Sequence, residues 1–420
     1  MRCRSSAAAI TRDRGIAGRT WLLPTALSVI FAGALASTSI YGQRTSPAQH
    51  SRSARSRASS RQAIRLNLAK INSPDTRDTV GPHSEGEAVI RAAILLDRLK
   101  FSPGEISGSY NDNLAKAIAG FQSVSGLPGI GTVDAATWTA LDADQASGRV
   151  ERVQPASGSP GQQGSQGQPN SGAQLQSATP PALVQYVISM QDVSGPFTKI
   201  PVVTGRDAGE RRMLREARLQ RLNFQTALDL LAEKFHCSPR LLVQLNPRKQ
   251  FDKPGQQIQV PNVLTPAPPQ AASVVVDAST HSVTALDSSG KVLAFYPASV
   301  GSEHDPLPVG NWQIGEVTWY PKFKYNPNLF WDAQDKHPRA TVAPGPRNPV
   351  GVVWMGLSKQ HYGMHGTPAP SQIGKTQSHG CIRLTNWDAA ELAGMVHPGM
   401  PVVLQEGTPS EVKAQAASLK

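Results

Sequence analysis

The sequence predicts a multidomain chain: a small three-helix bundle, an α/β module and a mainly-β, β-sandwich-like C-terminal domain. Three observations lead to this prediction. The chain has 420 residues, more than one hydrophobic core usually holds. It contains 36 glycines and 34 prolines, which suit loops and linkers between modules. Its hydrophobic period changes from that of helices to that of strands after a Pro-rich hinge at residues 265–270.

The net charge of +12 is concentrated near the N-terminus. Residues 1–70 hold 12 Lys and Arg against a single acidic residue, Asp13, so the remainder of the chain is nearly balanced. A nucleic-acid-binding domain would present a basic face, which a balanced folded part does not supply. We therefore expect no nucleic-acid partner.

Five arginines precede an apolar run at the N-terminus, Trp21 to Ala36, which ends in a small-x-small pattern. The run is short for a membrane span. Residues 1–36 are therefore predicted to be a cleaved signal peptide, with an uncleaved signal anchor and membrane tether as the alternative. Both predict an exported protein, in the periplasm or cell wall. Residues 37–83, basic and rich in Ser and Ala, are predicted to be a disordered tether.

Residues 84–144 carry three helical patterns. Apolar residues recur at helical spacing in 87–99 and 114–121, and a third helix with Trp138 follows Gly131-Thr132-Val133-Asp134, whose Thr or Asp can cap it. In their order these signals closely resemble the peptidoglycan-binding-like three-helix domain of wall enzymes. The resemblance implies binding to the wall polymer, although each aromatic residue taken alone fits an ordinary core position.

Residues 145–182 are predicted to be a flexible linker, because Gly, Pro, Ser and Gln dominate them. Residues 183–264 then show helical runs at 224–235 and from Arg240, followed by Pro254-Gly255-Gln256 before a strand. This order resembles a LysM module, and that family implies binding to N-acetylglucosamine-containing glycan. A structural spacer is the alternative interpretation, since the first strand is unclear and the segment 190–223 is unusually long and charged.

Residues 271–405 are predicted to form the β-rich domain, followed by a tail at 406–420. Period-two alternation on both sides of a turn at Ser279-Thr280 predicts a hairpin. Further strands are expected at 291–299, 310–317, 350–357 and 400–404. The span 321–349, dense in Pro, Asn and aromatic residues, is long enough to be a lid over a site.

Reactive side chains concentrate between residues 361 and 386. Beyond the leader only Cys237 and Cys381 remain, too few for a disulfide framework. Cys381 is surrounded by His and Gly, and a thiol with a free pKa of ~8.5 needs a neighbouring imidazole to act as a nucleophile. Gly380 lets the backbone turn tightly, so that its amide and that of Cys381 can point at an oxyanion.

These residues carry a second resemblance. His365-Gly366-Thr367, then Ser378-His379-Gly380-Cys381-Ile382-Arg383 with Asn386, closely match the signature of L,D-transpeptidases with a YkuD-type catalytic domain. The resemblance implies an enzyme that forms 3-3 cross-links between peptidoglycan stem peptides through a cysteine thioester, without metal or organic cofactor. It also implies Cys381 as nucleophile and His365 as general acid/base, oriented by the Gly366 carbonyl.

Several roles are open for the other motif residues. His379 is assigned to the catalytic group, where it contributes to the oxyanion pocket, the field on the thiolate, substrate binding or proton transfer. The expected substrate-contacting or loop-fixing residues are Ser378, Gly380, Arg383 and Asn386. Arg383 suits a substrate carboxylate, or alternatively pairs with Asp388 or Glu391. Arg347 either faces substrate from the lid or is an exposed loop residue.

Alternative interpretations of the site stay open. A zinc site would use His361, His365, His379 and Cys381, although the glycines around them disfavour the helix that such a spacing needs. Cys381 could also be a buried structural thiol. Within the resemblance, the acceptor could be water, giving an L,D-carboxypeptidase, or a protein amine, giving attachment of that protein to the wall. A non-catalytic wall-binding protein is the remaining alternative.

Overall fold

The computed structural model describes residues 65–146, 180–200, 202–204, 208–329, 338–376 and 380–406, all within one compact unit. The predicted signal segment, most of the predicted tether and linker, and nearly all of the tail lie outside the described residues. In the described part, no helix combines the length and the apolar character needed to cross a bilayer.

The N-terminal module contains the three predicted helices and one more. Its helices are α1 (Leu68–Asn72), α2 (Glu87–Arg98), α3 (Asp112–Val124) and α4 (Ala135–Ala146). Asp134 caps α4, because its carboxylate accepts from the Thr137 amide at 2.8 Å. The extra helix α1 corrects the predicted tether: Ile71 is fully buried and Val80 pairs with Val133, so residues 65–83 belong to the folded module.

In the described part of the middle module, residues 180–264, one strand precedes the helices along the chain and another follows them. Its elements are β1 (Leu183–Val187), α5 (Met190–Val193), α6 (Ala208–Glu216), α7 (Ala227–Lys234), α8 (Pro239–Leu245) and β2 (Gln257–Pro261). β1 and β2 pair antiparallel, which identifies the first strand that the sequence left unclear. Thr226 and Ser238 cap α7 and α8 by accepting from backbone amides three residues on.

The C-terminal domain is mainly β, as predicted. Its strands are β3 (Ser273–Asp277), β4 (Ser282–Leu286), β5 (Val292–Pro297), β6 (Ser299–Val300), β7 (Gly310–Trp319), β8 (Phe323–Tyr325), β9 (Ala340–Val342), β10 (Val353–Leu357), β11 (Gly363–His365), β12 (Ile382–Arg383) and β13 (Pro401–Gln405). One helix, α9 (Asn386–Met395), follows β12. β8 and β9 pair antiparallel in a separate two-stranded sheet within the predicted lid span.

Nine of these strands form one sheet in the order β5-β4-β3-β13-β7-β10-β11-β12-β6. The long strand β7 joins its two halves, since Gln313 pairs with Pro401 of β13 and Ile314 pairs with Leu357 of β10. One cluster of buried side chains includes Val276 from one half and Met364 from the other. The two halves of the predicted sandwich are therefore continuous through β7 and share a core.

Backbone hydrogen bonds join the three modules. The amide of Ser102 donates to the Phe295 carbonyl of β5 at 2.9 Å, and the amide of Ile106 donates to the His236 carbonyl of the middle module at 2.9 Å. The amide of Ser238 returns a bond to the Ile106 carbonyl. The segment between α2 and α3 therefore touches both other modules.

Helix α2 also holds both ends of the predicted linker. The Gln145 side-chain amide donates to the Leu95 carbonyl at 3.0 Å, and the Arg98 guanidinium donates to the carbonyls of Pro180 and Pro181 at 3.1 and 3.3 Å. The ends of the predicted linker at 145–146 and 180–182 are thus part of the folded unit, whereas residues 147–179 lie outside the described residues.

Candidate active site

Parallel strand pairing brings the two halves of the motif together. Met364 of β11 pairs with Ile382 of β12, and His365 pairs with Arg383. The Leu384 amide also donates to the His365 carbonyl at 2.8 Å. Because Cys381 directly precedes β12, this register places the thiol residue beside Gly363, at the start of the strand that ends with His365.

The imidazole of His365 is buried and held on two sides. Its Nδ1 lies 2.7 Å from the Gly366 carbonyl oxygen, and its ring stacks on Trp354 with the centroids 5.5 Å apart. A carbonyl only accepts, so Nδ1 carries the proton and Nε2 keeps its lone pair. Burial lowers the pKa of His365 to about 4, reinforced by Arg383 and opposed by the Gly366 bond. The imidazole is therefore a neutral base at physiological pH.

Cys381 is partly buried, and its thiol donates to the backbone carbonyl of His361 at 3.8 Å. Burial raises the pKa of Cys381 to about 11, although a backbone hydrogen bond from Gly363 and the Arg383 charge oppose the increase. The resting group is thus a thiol rather than a thiolate. His361 approaches this thiol with its carbonyl oxygen, while its side chain is exposed.

Gly380 is required at the turn before the nucleophile. Its φ is +84°, and a Cβ there would lie 2.8 Å from Cε1 of Tyr362. Both features exclude a larger residue, as the sequence predicted for a tight backbone approach. Tyr362 is a neighbour of the site that the sequence did not single out: burial, Asp305 and Cys381 together raise its pKa.

Arg383 lies at the site. The two acidic residues suggested as its partners, Asp388 and Glu391, bond other side chains. Its positive charge helps to lower the pKa of both His365 and Cys381. Glu391 forms an ion pair with Lys100, and Asp388 bonds Thr385 at the start of α9. The guanidinium is therefore positioned for the reacting groups rather than for α9.

Asn386 has the loop-fixing role. Its Nδ2 donates to the Pro346 carbonyl at 3.0 Å and to the Glu233 carboxylate at 3.1 and 3.2 Å, and its Oδ1 accepts from the Val352 amide at 3.2 Å. The side chain is buried, and protein groups use each of its polar atoms. These bonds fit the loop-fixing role expected of Asn386 better than a contact with substrate.

Arg347 is a half-buried residue rather than an exposed loop residue. Its guanidinium donates to the Pro368 carbonyl at 2.9 Å, and its amide donates to the Leu222 carbonyl at 3.0 Å. The Leu222 amide in turn donates to the Pro344 carbonyl at 3.0 Å. Arg347 thus links the segment after Gly366 to the middle module, a contact that no local sequence signal indicates.

Ser378 and His379 lie outside the described residues, so their predicted roles stay predictions. Among the residues that are described, no group of three or more His, Cys, Asp or Glu side chains is arranged to hold a metal ion.

Comparison with known proteins identifies two regions of the chain. Residues 271–404 match the family model of the YkuD L,D-transpeptidase catalytic domain, and residues 85–141 match a model described as "Putative peptidoglycan binding domain". The chain is 32% identical over 179 residues to the "Putative L,D-transpeptidase YkuD" of Bacillus subtilis, covering 42% of this chain and 92% of that protein. It is 26% identical to the "Probable L,D-transpeptidase YbiS" of Escherichia coli, covering 42% and 58%.

Solved structures of L,D-transpeptidases match this chain with low sequence identity and low TM-scores. L,D-transpeptidase 3 of Mycobacterium tuberculosis, with a faropenem-derived adduct, is 21% identical, covers 36% of this chain and 75% of its own, and has a TM-score of 0.28. The Enterococcus faecium L,D-transpeptidase C442S mutant is 20% identical, covers 33% and 50%, and has a TM-score of 0.26. The sequence relatives, rather than these structural matches, therefore determine the family.

Proposed function

Because the chain belongs to the L,D-transpeptidase family with a YkuD catalytic domain, we propose that it cross-links peptidoglycan stem peptides through Cys381. The observation that carries this proposal is the parallel pairing of β11 and β12, which sets the His365 strand beside the strand that Cys381 precedes. Cysteine acyl transfer requires a base of fixed orientation near the thiol, and the strand beside β12 carries such a base.

In the proposed first step, the Cys381 sulfur attacks the carbonyl carbon at the L-centre of the dibasic residue in a tetrapeptide stem. Nε2 of His365 takes the thiol proton as the S–C bond forms, because a neutral imidazole and a thiol are the resting forms. The C–N bond to D-alanine then breaks, and His365 returns the proton to the leaving amine. The backbone amides of Gly380 and Cys381 are the proposed donors to the oxyanion.

In the second step, the amine of another stem attacks the thioester and restores the thiol, which gives a 3-3 cross-link. The attacking amine gives its proton to His365, which returns it to the Cys381 sulfur as the S–C bond breaks, so the two steps together regenerate the free enzyme. Arg383 is proposed to bind a carboxylate of the stem, since guanidinium presents a bidentate fork beside the reacting groups. His379 and Ser378 are proposed to line the same pocket.

The other modules are proposed to hold the enzyme on its polymer. Residues 85–141 match a wall-binding family, and the order of strands and helices in the middle module suits a LysM-like glycan-binding role. Binding to the polymer raises the local concentration of stem peptides without changing the chemistry. We further propose that residues 1–36 direct export, so that the protein acts in the periplasm or cell wall.

The test is to incubate the full chain with purified tetrapeptide-stem muropeptides and to identify the products by mass spectrometry, alongside Cys381→Ala and His365→Ala. Dimers formed with loss of D-alanine, absent with Cys381→Ala, are expected. Tripeptide without dimer would make water the acceptor and the enzyme an L,D-carboxypeptidase. Unchanged tetrapeptide together with retained binding to insoluble wall would overturn the enzymatic proposal in favour of a wall-binding protein.

A further inference from the structure

A carboxylate of the middle module reaches the catalytic motif. Glu233 lies near the end of α7, and both of its carboxylate oxygens accept from Nδ2 of Asn386, at 3.1 and 3.2 Å. The second hydrogen of that amide goes to the Pro346 carbonyl at 3.0 Å. Glu233 therefore supplies the acceptor for one of the two Asn386 hydrogens, and without it a buried donor would lose its partner.

The amide that Glu233 holds packs directly against Gly366. A Cβ on Gly366 would be 3.3 Å from both Cα and Cγ of Asn386, and closer still to its Oδ1. The Gly366 carbonyl is in turn the acceptor that fixes Nδ1 of His365 at 2.7 Å. A chain of contacts thus runs from the middle module through Asn386 and Gly366 to the imidazole.

A second contact of the middle module supports the same segment from the other side. Leu222 exchanges backbone hydrogen bonds with the 344–347 loop through the Pro344 carbonyl and the Arg347 amide, both at 3.0 Å. The Arg347 guanidinium then donates to the Pro368 carbonyl at 2.9 Å, two residues beyond Gly366. Two independent contacts therefore connect the segment that follows His365 to the middle module.

We propose that the middle module completes the active site, with Glu233 as a positioning residue that acts on His365 through Asn386 and Gly366. The inference rests on the proposed function of His365 and goes beyond wall binding as the role of the module. It also gives the segment 190–223 a role, since Leu222, near the end of that segment, holds the 344–347 loop by two backbone hydrogen bonds. Removal of the Glu233 acceptor lets Asn386 rotate towards another partner, and the Gly366 carbonyl shifts with it.

The test compares three variants of the full chain. Glu233→Leu removes the acceptor with little change in volume, whereas Glu233→Gln keeps one oxygen for the Asn386 amide. Lys100→Met is the matched control, because Lys100 joins the N-terminal module to Glu391 of α9 without touching the segment after His365. Thermal unfolding, kcat and KM with muropeptides, and the imidazole Nδ1–H proton signal of His365 in ¹⁵N-edited spectra are measured for each.

For Glu233→Leu we expect kcat to fall about tenfold with KM nearly unchanged, and the His365 Nδ1–H signal to broaden or shift. Glu233→Gln should retain activity within about threefold of the native chain. Lys100→Met should unfold at a lower temperature yet keep the native kcat and the native His365 signal.

Equal losses of kcat in Glu233→Leu and Lys100→Met would overturn the inference, since they would reduce Glu233 to a general interface contact. An unchanged His365 signal in Glu233→Leu would overturn it as well. If the native chain does not act on muropeptides, the proposed function fails, while the Nδ1–H signal still decides whether Glu233 positions the imidazole.

Discussion

Gly366→Ala adds a single methyl group between His365 and Asn386, and so tests whether Gly366 connects these two residues. The backbone of Gly366 does not adopt a positive φ, so alanine adds no conformational strain there. Its Cβ, however, would clash with Oδ1 of Asn386, because the two atoms would be less than 3.0 Å apart. The same Cβ would lie 3.3 Å from Cα and Cγ of Asn386. Either Gly366 or Asn386 must therefore move by several tenths of an ångström.

Both movements are costly. If Asn386 moves, its bonds to the Val352 amide and the Pro346 carbonyl weaken, each contributing about 1 kcal/mol. If Gly366 moves, its carbonyl leaves the 2.7 Å bond that orients His365. Overpacking of this kind costs about 1–3 kcal/mol of stability, and a displaced base lowers the rate by about 10²-fold.

The assay is the rate at which a carbapenem acylates Cys381, followed by intact mass, together with the unfolding temperature. Gly394→Ala is the control, because Gly394 lies in α9, the helix that begins with Asn386, and a Cβ there meets nothing within 4 Å. We expect Gly394→Ala to acylate at the native rate and to gain about 0.5–1 kcal/mol in stability. A native acylation rate in Gly366→Ala would refute the reasoning that the Gly366 carbonyl positions the base.

Two further predictions concern pH. A neutral base is present above its pKa, so acylation of Cys381 should be lost only as the pH falls through about 4, where His365 becomes protonated; half-loss near pH 6.5 in a rate profile would contradict this. Stability should fall between about pH 4 and pH 7, from the ordinary pKa of these carboxyls to their pKa in the folded chain. Burial raises the pKa of Glu233 and of Asp388 to about 7, so these carboxyls bind protons more tightly in the folded state and lose that stabilisation as the pH rises. His365 opposes this trend because burial lowers its pKa from 6.5 to about 4, but the two carboxyls outweigh it, and we expect thermal unfolding to show a net loss of about 4 kcal/mol. Asp388→Asn should flatten the profile, and an unaltered slope in that variant would be inconsistent with the assignment.

Local signals in the sequence predict most of the helices and strands. Asp134 is a helix cap in sequence and in structure, and the period-two pattern around Ser279-Thr280 becomes the β3–β4 hairpin. The strand order cannot be obtained in this way, because β13 lies beside β3 and β7 through pairings distant along the chain. The short helix α1 is not predictable from sequence, because the chain before it is basic and polar and only one residue of the helix, Ile71, is buried.

The reactive core of the site is predictable because its chemistry depends on residue types at close spacing. Cys381, His365 and the two glycines belong to this group. The supporting contacts are not predictable: Glu233 is an ordinary helix residue in sequence, and only the packing of two modules gives it a partner in Asn386. Trp354 likewise fits a regular strand position, although its ring stacks on His365.

The attachment of Gln145 and Pro180 to the same helix has a consequence for how this chain can vary. Since α2 holds both residues, the two ends of the connection between them are fixed independently of the length of that connection. Doubling the length of such a loop adds only about 0.6 kcal/mol to its closure cost. We therefore expect a longer connection between Gln145 and Pro180 to cost the described unit little stability.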